Sequence, residues 1–246
     1  MNLHLLPPAG AGGRFFSPVP RVQVLDVGPG QICFVVDDAL IDPDGLVDWV
    51  DRHRFEPAQA NAYPGQLMES VPVLEQSLDG FFSQHIRGRF GARRTVGMYA
   101  RFSLATTAPE ALQPGQWQCH RDRVAIDPAL CAASVLYLFR DARLGGTSFY
   151  RPRGTPAHVD AMLADAQLLS PAEFSARYGV EPGYMTASND HFEQTGHVPA
   201  AWNRMIFYDG GQFHSGHITH PELLSEDARR GRLTFNGFFA CRRGAS

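Results

Sequence analysis

The chain has 246 residues, 44% of them hydrophobic and 19% charged, with a formal net charge of -3. That length and composition suffice for a buried core in one domain over 1–246 and exclude a disordered polypeptide. The charge leaves no basic footprint for nucleic acid, and no apolar run approaches the ~18 residues of a membrane-crossing helix.

Residues 1–20 lack a basic stretch ahead of a long apolar run, so they read as a loose arm and not as a signal peptide. Residues 21–36 read as two short strands around Gly28-Pro29-Gly30. Asp42 or Asp44 can cap a helix that holds Pro43 in its first turn and shows Leu46, Val47, Trp49 and Val50 on one face. The segment around Pro64-Gly65 reads as a loop, and Val73 to Ile86 as an amphipathic helix interrupted at Gly80. From Thr95 strand patterns take over, at 95–106, 132–139, 145–152, 203–211 and 232–242. Between them 154–200 reads as an insertion, with one helical pattern over 156–178 and a Gly/Asn/Pro-rich tail. Helices beside many strands at short spacing suggest helices packed on a β-sandwich or barrel. Cys33, Cys119, Cys131 and Cys241 form no C-x-x-C pair, which excludes a zinc ribbon or a thioredoxin motif and fits free thiols in the cytoplasm.

His120 and Asp122 lie two apart, so on an extended backbone both side chains leave from one face. Alone, H-x-D is a weak signal. A hydrophobic strand from Asn203 then runs through Gly210-Gly211 to His214, and two histidines with one carboxylate form the ligand set of non-haem Fe(II) oxygenases. Such a set leaves open positions for a 2-oxo acid and O2. In the last strand Arg232, Thr234 and Asn236 alternate with Leu233, Phe235 and Gly237, giving one polar face. A buried Arg there needs an anion, which the distal carboxylate of a diacid would supply; the bland alternative is a surface Arg on an edge strand. His217 and His220 lie close enough to His214 to compete for the metal. Odd spacing turns His217 away on a continuous strand, Pro221 makes His220 a poor strand continuation, and His214 is the preferred ligand with His217 second. His53, His85, His158, His191 and His197 are scattered without ligand spacing.

The order H-x-D, Gly-Gly strand, His, Arg resembles the 2-oxoglutarate/Fe(II)-dependent dioxygenases, in particular the prolyl-4-hydroxylase-like branch, over roughly Tyr99 to Arg242. The resemblance extends to SVLYLF at Ser134 to Phe139 and GGTSFY at Gly145 to Tyr150. It implies an α+β fold with a mainly β core. That core is a double-stranded β-helix, or jelly roll, over 95–242, with packed N-terminal helices. It further implies Fe(II) held by His120, Asp122 and His214, and 2-oxoglutarate as cosubstrate of O2. Arg232, Tyr137 and Thr234 would hold the cosubstrate; Tyr99, on the strand before the H-x-D segment, could touch it, though a plain strand residue is the preferred reading there. Two departures leave the substrate class open: the long interval from His214 to Arg232, and the 154–200 insertion. The stretch Thr186 to His197 is a candidate substrate wall, and an ordered surface excursion is the alternative. The reaction expected is hydroxylation of an amino acid, peptide or small molecule. The alternatives are a jelly-roll binding protein without turnover and a cupin-like metalloenzyme that does not use 2-oxoglutarate. Neither a nucleic-acid nor a membrane partner is expected, and the oligomeric state is open.

Overall fold

The computed structural model describes residues 6–59, 63–122 and 130–243. The alternation seen at the C-terminal end of the sequence makes the central strand of the molecule, β11 (Arg232–Arg243), which is buried along its first ten residues. It pairs antiparallel with β5 (Ala92–Ala105) on one side and β6 (Leu130–Tyr137) on the other. Beyond β6 lie β9 (Met205–Asp209), β2 (Gln31–Val36) and β1 (Val22–Gly28); beyond β5 lie β4 (Gly65–Glu69) and β3 (Glu56–Pro57). This is an eight-stranded sheet. A second sheet holds β10 (Phe213–Gly216), β7 (Thr147–Pro152) and β8 (Phe192–Val198), and an isolated bridge between His120 and His214 adds the H-x-D segment beside β10. From β5 onward the chain passes between the two sheets in the order large, small, large, small, small, large, small, large, which is the winding of a jelly roll.

Period-two alternation sorts the side chains of β11 to the two faces of the sheet. Leu233, Phe235, Phe239 and Cys241 face outward, where α1 (Pro43–Val50) and α2 (Pro72–His85) cover them in one apolar cluster. Asp42 caps α1 through the Gly45 N–H, as the sequence suggests. Phe82 of α2 stacks on Phe239 at 4.0 Å, and a Cβ at Gly237 would meet Leu78 at 2.6 Å, so glycine is what lets the helix approach. The inner face of β11 carries Arg232, Thr234, Asn236 and Phe238 toward the space between the sheets. On the outer face of the small sheet, α3 (Pro156–Leu168) and α4 (Pro171–Tyr178) bury Val159, Met162 and Phe174 against Trp117, Cys119, Tyr150 and Phe213.

Several expectations change. The arm is not loose at its end: Phe15 and Phe16 are buried in the helix-side core, and Phe16 bridges Leu40. The stretch 62–72 read as a loop around Pro64-Gly65 contains a strand, β4, which begins at Gly65 and pairs with β5. The 154–200 segment has two capped helices where the sequence suggests one, and its tail supplies β8 of the small sheet. No helix among the described residues is long and apolar enough to cross a membrane.

Candidate metal centre

Backbone pairing fixes the three ligand candidates before any side chain is considered. His120 and His214 exchange both backbone hydrogen bonds at 2.9 Å, while Asp122 N–H donates to the Gly210 carbonyl at 2.8 Å. Gly210 is required there, because a Cβ would sit 2.9 Å from Asp122 Cβ. The result brings one donor atom each from His120, Asp122 and His214 within 4.8 Å of one another. His217 lies elsewhere, its Nδ1 2.8 Å from Ser148 Oγ, and His220 pairs with Glu222. Of the three neighbouring histidines, only His214 joins the cluster.

The protonation states suit a cation. His214 Nδ1–H donates to the Gln212 carbonyl at 2.9 Å, which leaves Nε2 as a lone pair 3.4 Å from Asp122 Oδ2. Burial pushes the His214 pKa down to about 4. Packed protein around His120, and then His214 beside it, lowers His120 to about 4 as well. However, 57% of the His120 side chain faces the open cavity, so water screens part of this and the His214 neighbour is the firmer cause. Burial raises the Asp122 carboxyl, with His120 and Arg101 opposing. Its Oδ2 is buried and meets no hydrogen-bond donor. A desolvated carboxylate oxygen without a donor, next to two neutral imidazoles, has the chemistry to hold a divalent cation.

In the metal-free protein, His214 makes stability depend on pH. A histidine whose folded pKa is lowered contributes stability that is complete above its unfolded value near 6.5 and lost as pH falls toward about 4. The loss expected is roughly 3 kcal/mol, at about 1.4 kcal/mol per pH unit, and the raised Asp122 offsets part of it. Urea titrations of chelator-treated protein across that window should show the decline, and His214→Asn should flatten it. An equal slope in the variant contradicts the buried neutral imidazole.

The cluster lines a cavity of ≈ 380 Å³ between the sheets. Arg232 also lines it, 5% exposed, with Nε and Nη2 donating to the Leu144 and Gly146 carbonyls at 2.9 and 2.8 Å. Thr234 and Asn236 line the same wall, so the polar face of the last strand does turn inward. Tyr137 does not reach the surface of the cavity: its hydroxyl pairs with Thr147 Oγ1 at 2.8 Å, and Thr147 is the lining residue. Tyr99 is half-exposed and stacks on Phe238 at 4.7 Å, outside the lining. From the insertion, Gln167, Tyr184 and Met185 form part of the wall, and Thr186 to His197 contributes nothing to it.

Three lining residues are ones that sequence reasoning passes over. Tyr63 precedes β4, and its buried hydroxyl has no hydrogen bond of good geometry although Thr234 and Arg232 lie beside it. Arg101 of β5 sits directly across from Asn236 of β11. Gln118, two residues before His120, is 3% exposed. The Arg101 and Gln118 signals were present: Arg101 and Ser103 alternate with Phe102 and Leu104 as Arg232 and Thr234 do with theirs, and Gln118 has the parity of His120.

A family model described as a family of unknown function (DUF6445) matches residues 18–239. None of the curated proteins compared matches the chain. Among solved structures the chain is similar to a Pseudomonas putida prolyl-4-hydroxylase, at 17% identity over 78% of this chain and 79% of that one, TM-score 0.36. It is also similar to HygX from Streptomyces hygroscopicus with nickel and 2-oxoglutarate bound, at 7% identity over 85% and 82%, TM-score 0.43. A third is an N-substituted L-amino acid dioxygenase from Burkholderia ambifaria AMMD, at 13% identity over 84% and 80%, TM-score 0.36.

Proposed function

The chain belongs to DUF6445, a family of unknown function, and we propose that it is a non-haem Fe(II)- and 2-oxoglutarate-dependent oxygenase that hydroxylates a small molecule or peptide. The observation that carries the reading is the buried Asp122 Oδ2, without a donor, 3.4 Å from the lone pair of His214 Nε2, with His120 closing the set. His120, Asp122 and His214 would hold the iron on one side only, so the cavity side stays open for cosubstrate and O2. Bound Fe(II) supplies the redox chemistry by which 2-oxoglutarate and O2 become succinate and CO2 while one oxygen atom enters a C–H bond of the substrate.

The chain's own residues do the rest. Arg232 takes the distal carboxylate of 2-oxoglutarate, its guanidinium already oriented by two backbone carbonyls, so little side-chain freedom is lost on binding. Tyr63 and Thr234 offer hydroxyls beside it. Ala105, Val135, Ile218 and Phe238 give the cavity apolar walls, which strengthen charge pairing inside it by excluding water. Cys33, Cys119, Cys131 and Cys241 are free, in keeping with a reducing compartment such as the cytoplasm.

Anaerobically purified protein given Fe(II), 2-oxoglutarate and O2 should form succinate in proportion to O2 consumed. A metabolite and peptide panel should then yield a product heavier by one oxygen. Metal binding without succinate would favour a binding protein, and metal-dependent turnover that ignores 2-oxoglutarate would favour a cupin-like enzyme.

A further inference from the structure

Once iron and 2-oxoglutarate are assigned, the cavity has polar groups left over. Arg101 lines the same cavity from β5, opposite Asn236 of β11, with its guanidinium 5.3 Å from the Phe238 ring centroid. Its Nε is buried and has no hydrogen-bond partner, and no ion pair joins it to an acidic side chain among the described residues. Glu69, directly opposite on β4, is exposed and does not pair with it. The third arginine of the lining, Arg121, is already engaged by Asp160 at 3.5 Å and by the Phe213 ring. Gln118 is 3% exposed, and both its amide oxygen and its amide nitrogen are without partners. A guanidinium with an unpaired Nε and no acidic partner, and a primary amide with neither atom paired, both on the wall of one cavity, are costly in the empty protein and are the groups a polar ligand would satisfy.

Charge balance says what kind of ligand. The loaded cavity would contain a divalent metal, Arg232 and Arg101 against Asp122 and the 2-oxoglutarate dianion, with both histidines neutral. One negative charge is missing. A monoanion closes the balance, whereas a phosphate dianion overshoots it. The dicarboxylate cannot supply it, because one of its ends chelates the metal and the other meets Arg232. We propose that Arg101 anchors the carboxylate of the primary substrate, with Gln118 holding a neighbouring amide, so that the substrate is a small organic monoanion of the N-acyl-amino-acid type, a zwitterionic amino acid leaving the balance open. The inference rests on the oxygenase reading and narrows its substrate class.

The test uses the full chain loaded with Mn(II) and 2-oxoglutarate, which bind without turnover. The probes are the common L-amino acids and their N-acetyl derivatives, each paired with its carboxamide, and binding is read by calorimetry and thermal shift. At least one acid should bind about tenfold or more tightly than its carboxamide, the size of one charge-assisted contact. In Arg101→Gln the two should bind within about twofold of each other, while 2-oxoglutarate affinity changes less than about threefold and the melting temperature holds. Arg101→Lys should keep part of the preference. The proposal fails if no acid is preferred over its carboxamide, or if the preference survives in Arg101→Gln. A tenfold loss of 2-oxoglutarate affinity in Arg101→Gln would instead give Arg101 to the cosubstrate. Failure of the oxygenase reading shows separately, as wild-type protein that binds Mn(II) but no 2-oxoglutarate.

Discussion

Asp122→Ala should abolish Fe(II) binding and yet leave the metal-free protein as stable as the wild type or more so. The two effects have one origin. In the folded chain the Asp122 carboxylate is stripped of water, its Oδ2 accepts no hydrogen bond, and burial raises its pKa. Leaving such a group buried costs about 1–3 kcal/mol, a cost that alanine removes. The backbone hydrogen bond from residue 122 to Gly210 does not need the side chain, so the turn survives. With metal the sign reverses, since Asp122 is the only carboxylate of the set. Loss of an outer partner of a metal ligand costs 10–100-fold in affinity, and loss of the anionic ligand itself should exceed about 100-fold. His120→Ala should also lose the metal, with a smaller change in metal-free stability because its side chain is largely exposed. Iron titrations of both variants beside denaturant melts of the metal-free forms decide the matter. Full occupancy in Asp122→Ala would remove the triad, and a strongly destabilised metal-free Asp122→Ala would show that the carboxylate has a structural partner.

The grouping of His120, Asp122 and His214 was legible in the sequence and much of the rest of the cavity wall was not, for a physical reason. Ligand spacing on a strand is local: a period of two places His120 and Asp122 on one face whatever they pair with. The same rule turned Arg232, Thr234 and Asn236 inward together. Tyr63 is different, because its place depends on β4 adding to the edge of β5. That pairing requires a close approach at Gly65, whose φ is +156° and where a Cβ would strike the Leu104 carbonyl. Nothing local in the Pro64-Gly65 turn announces a partner about forty residues away. β8 hid for another reason. It is an edge strand of the small sheet with a polar, half-exposed middle, so it lacks the apolar alternation that marks a strand. Tyr137 falls where the family resemblance puts a carboxylate-binding hydroxyl, but sequence position does not tell whether Thr147 intercepts that hydroxyl first.

Arg232→Ala should weaken 2-oxoglutarate binding at least about tenfold while metal affinity holds, because a charge-assisted pair contributes roughly 1.5–3 kcal/mol. It should also cost stability, since the Leu144 and Gly146 carbonyls lose their donors in a buried place, so affinity has to be measured on protein shown to be folded. The two tyrosines separate binding from structure more cleanly. The Tyr63 hydroxyl has no well-formed hydrogen bond in the protein, and Tyr63→Phe should therefore leave stability unchanged and raise the 2-oxoglutarate dissociation constant by about three- to tenfold, the worth of one neutral hydrogen bond. The Tyr137 hydroxyl is committed to Thr147, and Tyr137→Phe should cost about 1 kcal/mol of stability with little change in affinity. Calorimetric titration of Mn(II)-loaded protein with 2-oxoglutarate, run beside urea melts, yields both numbers for each variant. If Tyr137→Phe weakens the cosubstrate and Tyr63→Phe does not, the hydroxyl at the distal carboxylate is the one the resemblance implies, and Thr147 must release it on binding. If Arg232→Ala is folded and binds 2-oxoglutarate normally, the buried arginine serves only to tie the two carbonyls, and the anion site lies elsewhere in the cavity.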